Sequence, residues 1–169
     1  MARFTHTSPV PIDTKTYSRF RPYIRADFEK CCAHCYLHED WAGGEGVFEI
    51  DHFRPVSLFP ELNCTYENLY WSCRTCNGRK GKSSHWPSDD EMLEGIGFVD
   101  LCSDDWESQY KLLLDGSLIG LTKNAKYTIK TIRLNRPFLI RLRKWAFHHN
   151  VLLDLEREAS FPLPSIIEV

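Results

Sequence analysis

The spacing of apolar residues along the chain changes period several times, and each change marks an element. From Arg21 the apolar positions Tyr23, Ile24 and Phe28 recur at helical spacing behind Pro22, which suits a first helical position; a short helix is predicted that ends near Cys32. The stretch Val47–Phe53 (VFEIDHF) reads as a short strand, Asn68–Ser72 (NLYWS) as a second, and Thr75–Ser83 (TCNGRKGKS) as the start of a helix. The loop between the strands carries Pro55 and Pro60, which stiffen it and exclude a long helix. Gln109 to Leu121 alternates around Asp115-Gly116, a hairpin signal with strands near 110–114 and 117–120. Ala125, Ile129 and Ile132 then form a helical stripe behind a cap at Thr122 or Asn124. Arg136-Pro137 breaks that run, and Leu139, Leu142, Trp145, Ala146, His149 and Leu153 outline a second helix. Strand, strand, helix, hairpin and helices in that order define an α+β chain.

Composition adds boundaries to this pattern. The 169 residues are 43% apolar and 26% charged, as in an ordinary soluble globular protein with a real core. Residues 1–20, with Pro9 and Pro11, read as an N-terminal arm that becomes ordered by docking; 21–87 form a central module; 88–169 form an acidic linker, a hairpin and helices packed on that module, ending in a docking tail, FPLPSIIEV. No apolar run reaches the length of a membrane span, and the first residues lack the basic-then-apolar order of a signal peptide. Seven cysteines, an odd number, fit a reducing cytoplasm better than a disulfide framework. A cytoplasmic protein with no membrane partner is the expectation.

Net charge is −2 and so argues neither for nor against nucleic acid, but the charge is segregated. Residues 88–110 hold eight acids (Asp89, Asp90, Glu91, Glu94, Asp100, Asp104, Asp105 and Glu107) and no Lys or Arg. Their spacing has no ligand regularity and predicts a solvated acidic face. Residues 122–144 hold eight cations and no acid. Lys126, Lys130 and Arg133 share one face of the first predicted C-terminal helix, which makes that helix a candidate phosphate-tracking surface.

The candidate chemistry lies in residues 32–82 and has two parts. Cys32 and Cys35, with Cys73 and Cys76, supply four thiolates in two short loops, a spacing that suits a tetrahedral structural zinc site. Soft sulfur ligands also suit an iron–sulfur cluster, although cysteine pairs from distant segments are commoner for zinc. Cys31, His34 and Cys64 lie close enough in sequence to be rival ligands. Inside this frame stand Asp51, His52, Asn68 and Asn77. Strand, loop, strand and helix are expected to bring Asp51, His52 and Asn77 over one small cleft. A neutral His takes a water proton near neutral pH. A hard cation held by a carboxylate and an amide oxygen binds a phosphate oxygen and a leaving group. Arg54, Arg79, Lys80 and Lys82 are placed to contact neighbouring phosphates.

These residues resemble the HNH endonuclease family, whose ββα-metal module carries a His, an Asn and a final His or Asn inside a four-cysteine zinc frame; the resemblance covers Tyr23 to Lys82. It implies a small zinc-stabilised ββα-metal (HNH) module, here followed by the hairpin and two basic amphipathic helices. In family terms His52 matches the general base and Asp51 a ligand of the catalytic metal. Asn68 matches the central Asn that ties the loop to the strands. Asn77 takes the last position, often His, which implies Mg2+ or Mn2+ there beside a structural Zn2+. The phrases EIDHFRP, YENLYWSC and CNGRKGK are also similar to HNH effectors of bacterial anti-phage systems of the retron and Septu types, which act with an ATPase partner. The expected function is thus a metal-dependent endonuclease cutting DNA, with RNA as the alternative substrate, in a defence complex. The reading from another class is a catalytically inactive zinc scaffold or nucleic-acid-binding subunit, and nicking of a plasmid with magnesium or manganese separates the two.

Overall fold

The computed structural model describes residues 3–7, 15–81 and 83–148. Lys82, Pro9, Pro11, His149, Leu153 and the tail FPLPSIIEV lie outside them. Helix α1 (Arg21–Asp27) starts with Pro22 in its first turn and buries Ile24; Phe28 follows it into the core. A short α2 (Glu39–Ala42) leads through a 3-10 turn to β1 (Phe48–His52). After a long loop with two 3-10 turns, β2 (Leu69–Cys73) returns antiparallel to β1 and runs straight into α3 (Arg74–Lys80). The register pairs Phe48 with Cys73, Asp51 with Tyr70 and His52 with Leu69. This is a ββα unit. Every residue of β2 is buried, with Trp71 stacked on Phe48 at 5.6 Å between ring centroids.

The rest of the described chain closes over this unit around one shared core. Phe4 lies in that core against Phe28 and Tyr36, with ring centroids 4.7 and 5.6 Å away. Backbone N–H groups of Arg3 and Phe4 donate to the Leu101 carbonyl, so residues 3–7 dock on the body. The acidic stretch folds into α4 (Asp89–Leu93) and α5 (Trp106–Gln109). Several of its carboxylates serve local structure: Glu91 completes a capping box with Ser88, Asp105 caps α5, and Asp100 accepts from the Tyr70 hydroxyl at 2.5 Å. Asp89, Asp90, Glu94 and Glu107 stay exposed, as a solvated face requires.

Strands β3 (Tyr110–Leu112) and β4 (Leu118–Gly120) form the hairpin, shorter than the alternation predicts because the Asp115-Gly116 turn takes up residues 113–117. Helix α6 (Lys123–Ile132) is capped by the Thr122 hydroxyl, which accepts from Ala125 N, and packs on β4 and α3. Helix α7 (Pro137–His148) buries Leu139 and Ala146. Trp145, expected in the apolar stripe, instead lies at the surface with its ring centroid 5.4 Å from that of Trp41. No helix among the described residues is long and apolar enough to cross a membrane.

Gly116 fixes how α7 sits on the hairpin. Its φ is +86°, and a Cβ there would collide with the Ile140 carbonyl and lie 2.9 Å from Lys144 N. Gly116→Ala should therefore destabilise the protein by about 2 kcal/mol or more, since left-handed strain and overpacking add. Gly46→Ala, where a Cβ meets nothing within 4 Å, is the control and should stay within about 0.5 kcal/mol. Urea denaturation of both variants checks this.

Candidate active site and metal centre

The outer site is built by two turns that face each other. After α1 the chain makes a tight knuckle in which Cys32 N donates to Leu37 O and Tyr36 N to Cys32 O, with Lys30 and Tyr36 both in the left-handed region. Cys73 ends β2, and Cys76 lies on the buried side of α3. The sulfur atoms of Cys32, Cys35, Cys73 and Cys76 all lie within 4.8 Å of one another, and Cys35 Sγ is 4.0 Å from Cys73 Sγ. A tetrahedral ion with sulfur at about 2.3 Å needs edges of roughly 3.8 Å, so this group suits a metal such as zinc. Burial opposes ionisation of Cys32, but hydrogen bonds from Cys35, Cys73 and Cys76 outweigh it and hold its pKa well below the usual thiol value. The contacts with Cys32 push Cys35 and Cys76 up. The rivals fall away: Cys31, its pKa pushed up to about 12 by burial, Cys64 and His34 all lie outside the group.

The inner site divides along strand β1. Alternation puts Glu49 and Asp51 on one face and His52 on the other. The periodicity of α3 puts Asn77 and Lys80 on one helix face, three residues apart. The two faces meet in pairs: Asn77 Nδ2 donates to Glu49 Oε1 at 2.8 Å, and Lys80 Nζ donates to Asp51 Oδ1 at 2.8 Å. Lys80 also donates to the His52 carbonyl at 2.6 Å. The other Asp51 oxygen accepts from His34 Nε2 at 2.8 Å. All three side chains of this Lys80–Asp51–His34 network are buried, with 2–3% of their surface exposed. Burial pushes the Asp51 carboxyl up, but the Lys80 ammonium and the His34 hydrogen bond prevail and hold it below the ordinary carboxylate range.

Two sequence-based expectations change here. Lys80 is not a rim cation open to phosphate: its ammonium is enclosed and shared between a carboxylate and a carbonyl. Asn77 meets Glu49 and not Asp51. Sequence reasoning missed Glu49, and it treated His34 only as a rival ligand of the thiol site. The signal was present in the two periods, since residues i and i+2 of a strand face i and i+3 of a helix packed on it.

His52, at the end of β1, reaches into the loop, where its Nε2 lies 2.9 Å from Asn63 O. A carbonyl only accepts, so Nε2 carries a proton, and in the neutral imidazole the lone pair is on Nδ1. The edge of the Tyr17 ring packs on the imidazole at 4.8 Å between centroids. Asn68 clamps the same loop: Oδ1 accepts from Arg54 N at 2.8 Å, and Nδ2 donates to Arg54 O at 3.1 Å and to Leu62 O at 3.4 Å. Arg54 is exposed over the Phe59 ring, Arg79 is half-buried, and Lys126, Lys130 and Arg133 are exposed on α6, which packs on α3.

Residues 32–83 match the model of the HNH endonuclease family. Part of the chain is also similar to Septu protein PtuB of Bacillus thuringiensis, 34% identical over 67 residues that cover 36% of this chain. The chain spans about a quarter of the length of that curated relative, 24%.

Removing Lys80 should reveal how much the buried network holds. Lys80→Met leaves the Asp51 charge enclosed and short of its main partner, and should cost about 3–5 kcal/mol. Asp51→Asn combined with Lys80→Met removes both charges and should recover a large part of that loss. Equilibrium denaturation of wild type, single and double variants measures the difference.

Proposed function

We propose that this protein is a metal-dependent endonuclease that hydrolyses phosphodiester bonds, with DNA as its substrate and His52 as its general base. The observation that carries the proposal is the state of His52. Its proton is committed to the Asn63 carbonyl, its basic nitrogen is left for a water, and it stands within the segment that matches the HNH family. In the reaction His52 Nδ1 accepts the proton of a water whose oxygen attacks phosphorus, the bond to the departing sugar oxygen breaks, and that oxygen is protonated by solvent. Asn68 holds the loop that presents Asn63, and Lys80 holds the His52 backbone, so both act by positioning.

Oxygen donors for a hard divalent cation, Mg2+ or Mn2+, are present where the Glu49–Asp51 face of β1 meets α3. Asn77 donates its amide N–H to Glu49, which leaves its oxygen as an acceptor; Glu49 is a part-exposed carboxylate; Asp51 keeps a second lone pair on each oxygen beyond the bonds from Lys80 and His34. Oxygen ligands of this kind suit such ions. A cation bound there neutralises charge on the phosphate and offers open positions to water. The four thiolates hold Zn2+ as a structural ion that ties the knuckle before β1 to α3, so that metal binding contributes to folding.

The exposed face of Lys126, Lys130 and Arg133 tracks the nucleic-acid backbone beside α3. The similarity to a Septu protein supports a place in a bacterial anti-phage system. To this we add a cytoplasmic setting and a protein partner such as an ATPase.

Three outcomes check this reading. His52→Ala should lower nicking of a plasmid, assayed with magnesium or manganese on the chain and on its complex, by about a hundredfold to ten-thousandfold while leaving fold and zinc content intact. Equal cutting by this variant would refute the assignment and leave the zinc scaffold. Asn77→Ala and Glu49→Gln should also lose activity, and higher manganese should restore part of it, as it should not for His52→Ala. Reversing Lys126, Lys130 and Arg133 to Glu should weaken DNA binding and flatten its dependence on salt, read from binding titrations across a salt series.

A further inference from the structure

The eight cations of residues 122–144 do not all face solvent. Arg143 is spent inside, donating to Gly116 O at 2.6 Å and to Leu134 O at 2.9 Å. Arg136, at the junction of α6 and α7, turns both terminal nitrogens onto one sulfur: Nη1 is 3.7 Å and Nη2 is 3.6 Å from Cys76 Sγ. Among the described residues the guanidinium also donates to Arg133 O at 3.5 Å. Its guanidinium is thus set against a fully buried sulfur and has no carboxylate partner in that hydrogen-bond set.

We propose that Arg136 is the counter-charge of the thiolate cluster, a positioning residue through which the C-terminal helices control how readily the metal is lost. The inference rests on the reading of Cys32, Cys35, Cys73 and Cys76 as a zinc site. Four thiolates around a divalent cation leave two net negative charges. With three of the four sulfur-bearing residues buried, water offsets little of that charge. A guanidinium fork supplies a positive charge and two N–H donors to the same sulfur, which strengthens both effects. The donors draw electron density from Cys76 Sγ, so that sulfur is less basic and less open to protonation or to an electrophile. Its placement is fixed from the C-terminal side. Leu139 N and Ile140 N donate to the Arg136 carbonyl, and Arg143 ties Leu134 and Asn135 of the same junction to the hairpin turn. The helices are therefore more than a basic surface, because they deliver one cation to the metal centre from a region about sixty residues further along the chain.

The test compares wild type with Arg136→Gln, Arg136→Lys and, as a control on the exposed side of α7, Arg141→Gln. Zinc content is measured first, then the rate of zinc transfer to excess chelator, and then the sulfur-to-cobalt charge-transfer band of the cobalt-substituted proteins. Arg136→Gln should bind one metal but release zinc about tenfold faster or more. It should also shift the charge-transfer band to lower energy, because Cys76 Sγ becomes richer in electrons. Arg136→Lys should fall between the two, since it keeps the charge and loses the fork, and Arg141→Gln should match wild type. If Arg136→Gln does not fold, the lysine variant carries the test by the same rate and band. Wild-type release and an unchanged band in the Arg136 variants would overturn the proposal alone. A wild type without zinc and without a cobalt–thiolate band would overturn the zinc reading and this inference with it.

Discussion

The meeting of four sulfur atoms is the constraint on which the rest of the structure depends. Cys32 and Cys35 come from a knuckle that includes left-handed residues Glu29, Lys30 and Tyr36, while Cys73 and Cys76 bracket the turn from β2 into α3. Helix α3 is only seven residues long and has no side-chain cap at its start, so its own propensity would not hold it. Its place is set by its buried face, through Cys76 and, one turn later, Lys80. Once α3 is held there, Asn77 and Lys80 must face strand β1, and the pairs Asn77–Glu49 and Lys80–Asp51 follow.

The site is correspondingly polarised. On the face of β1 toward α3, charge is buried and satisfied: Asp51 takes bonds from Lys80 and His34, and His34 sits between two of the thiols in sequence, so the outer and inner sites share a backbone segment. On the opposite face His52 turns toward a loop held by a single asparagine side chain. The buried ion-pair network thus lies on one side of β1, and the His52 imidazole, between Asn63 O and the Tyr17 ring, on the other.

The C-terminal region changes meaning when seen as packing. In sequence it is an acidic stretch followed by a basic one. In the fold several acids cap helices or accept from Tyr70 and the backbone, and two of the arginines are directed inward. The cations left at the surface are Lys123, Lys126, Lys130 and Arg133 along α6 and at its end, and Arg141 and Lys144 on α7.

Local chemistry made much of this legible from residue order alone. Two Cys-x-x-Cys pairs carry their own spacing, alternation marks strands, Thr122 and Asp115-Gly116 mark a cap and a turn, and the α+β order with its ββα unit followed from these. Such signals act over a few residues, so sequence suffices for them. Which side chain meets which was another matter. Lys80 looked like a rim cation because lysine is almost always exposed, and only the enclosure formed by β1, α3 and His34 makes burial tolerable, by pairing the charge on the spot. Arg136 figured in the sequence only as one of eight cations and as the residue before the break at Pro137, and its turn toward Cys76 depends on how α6, α7 and the hairpin pack across Gly116. Partners about thirty to sixty residues apart are chosen by three-dimensional packing, which no local period records.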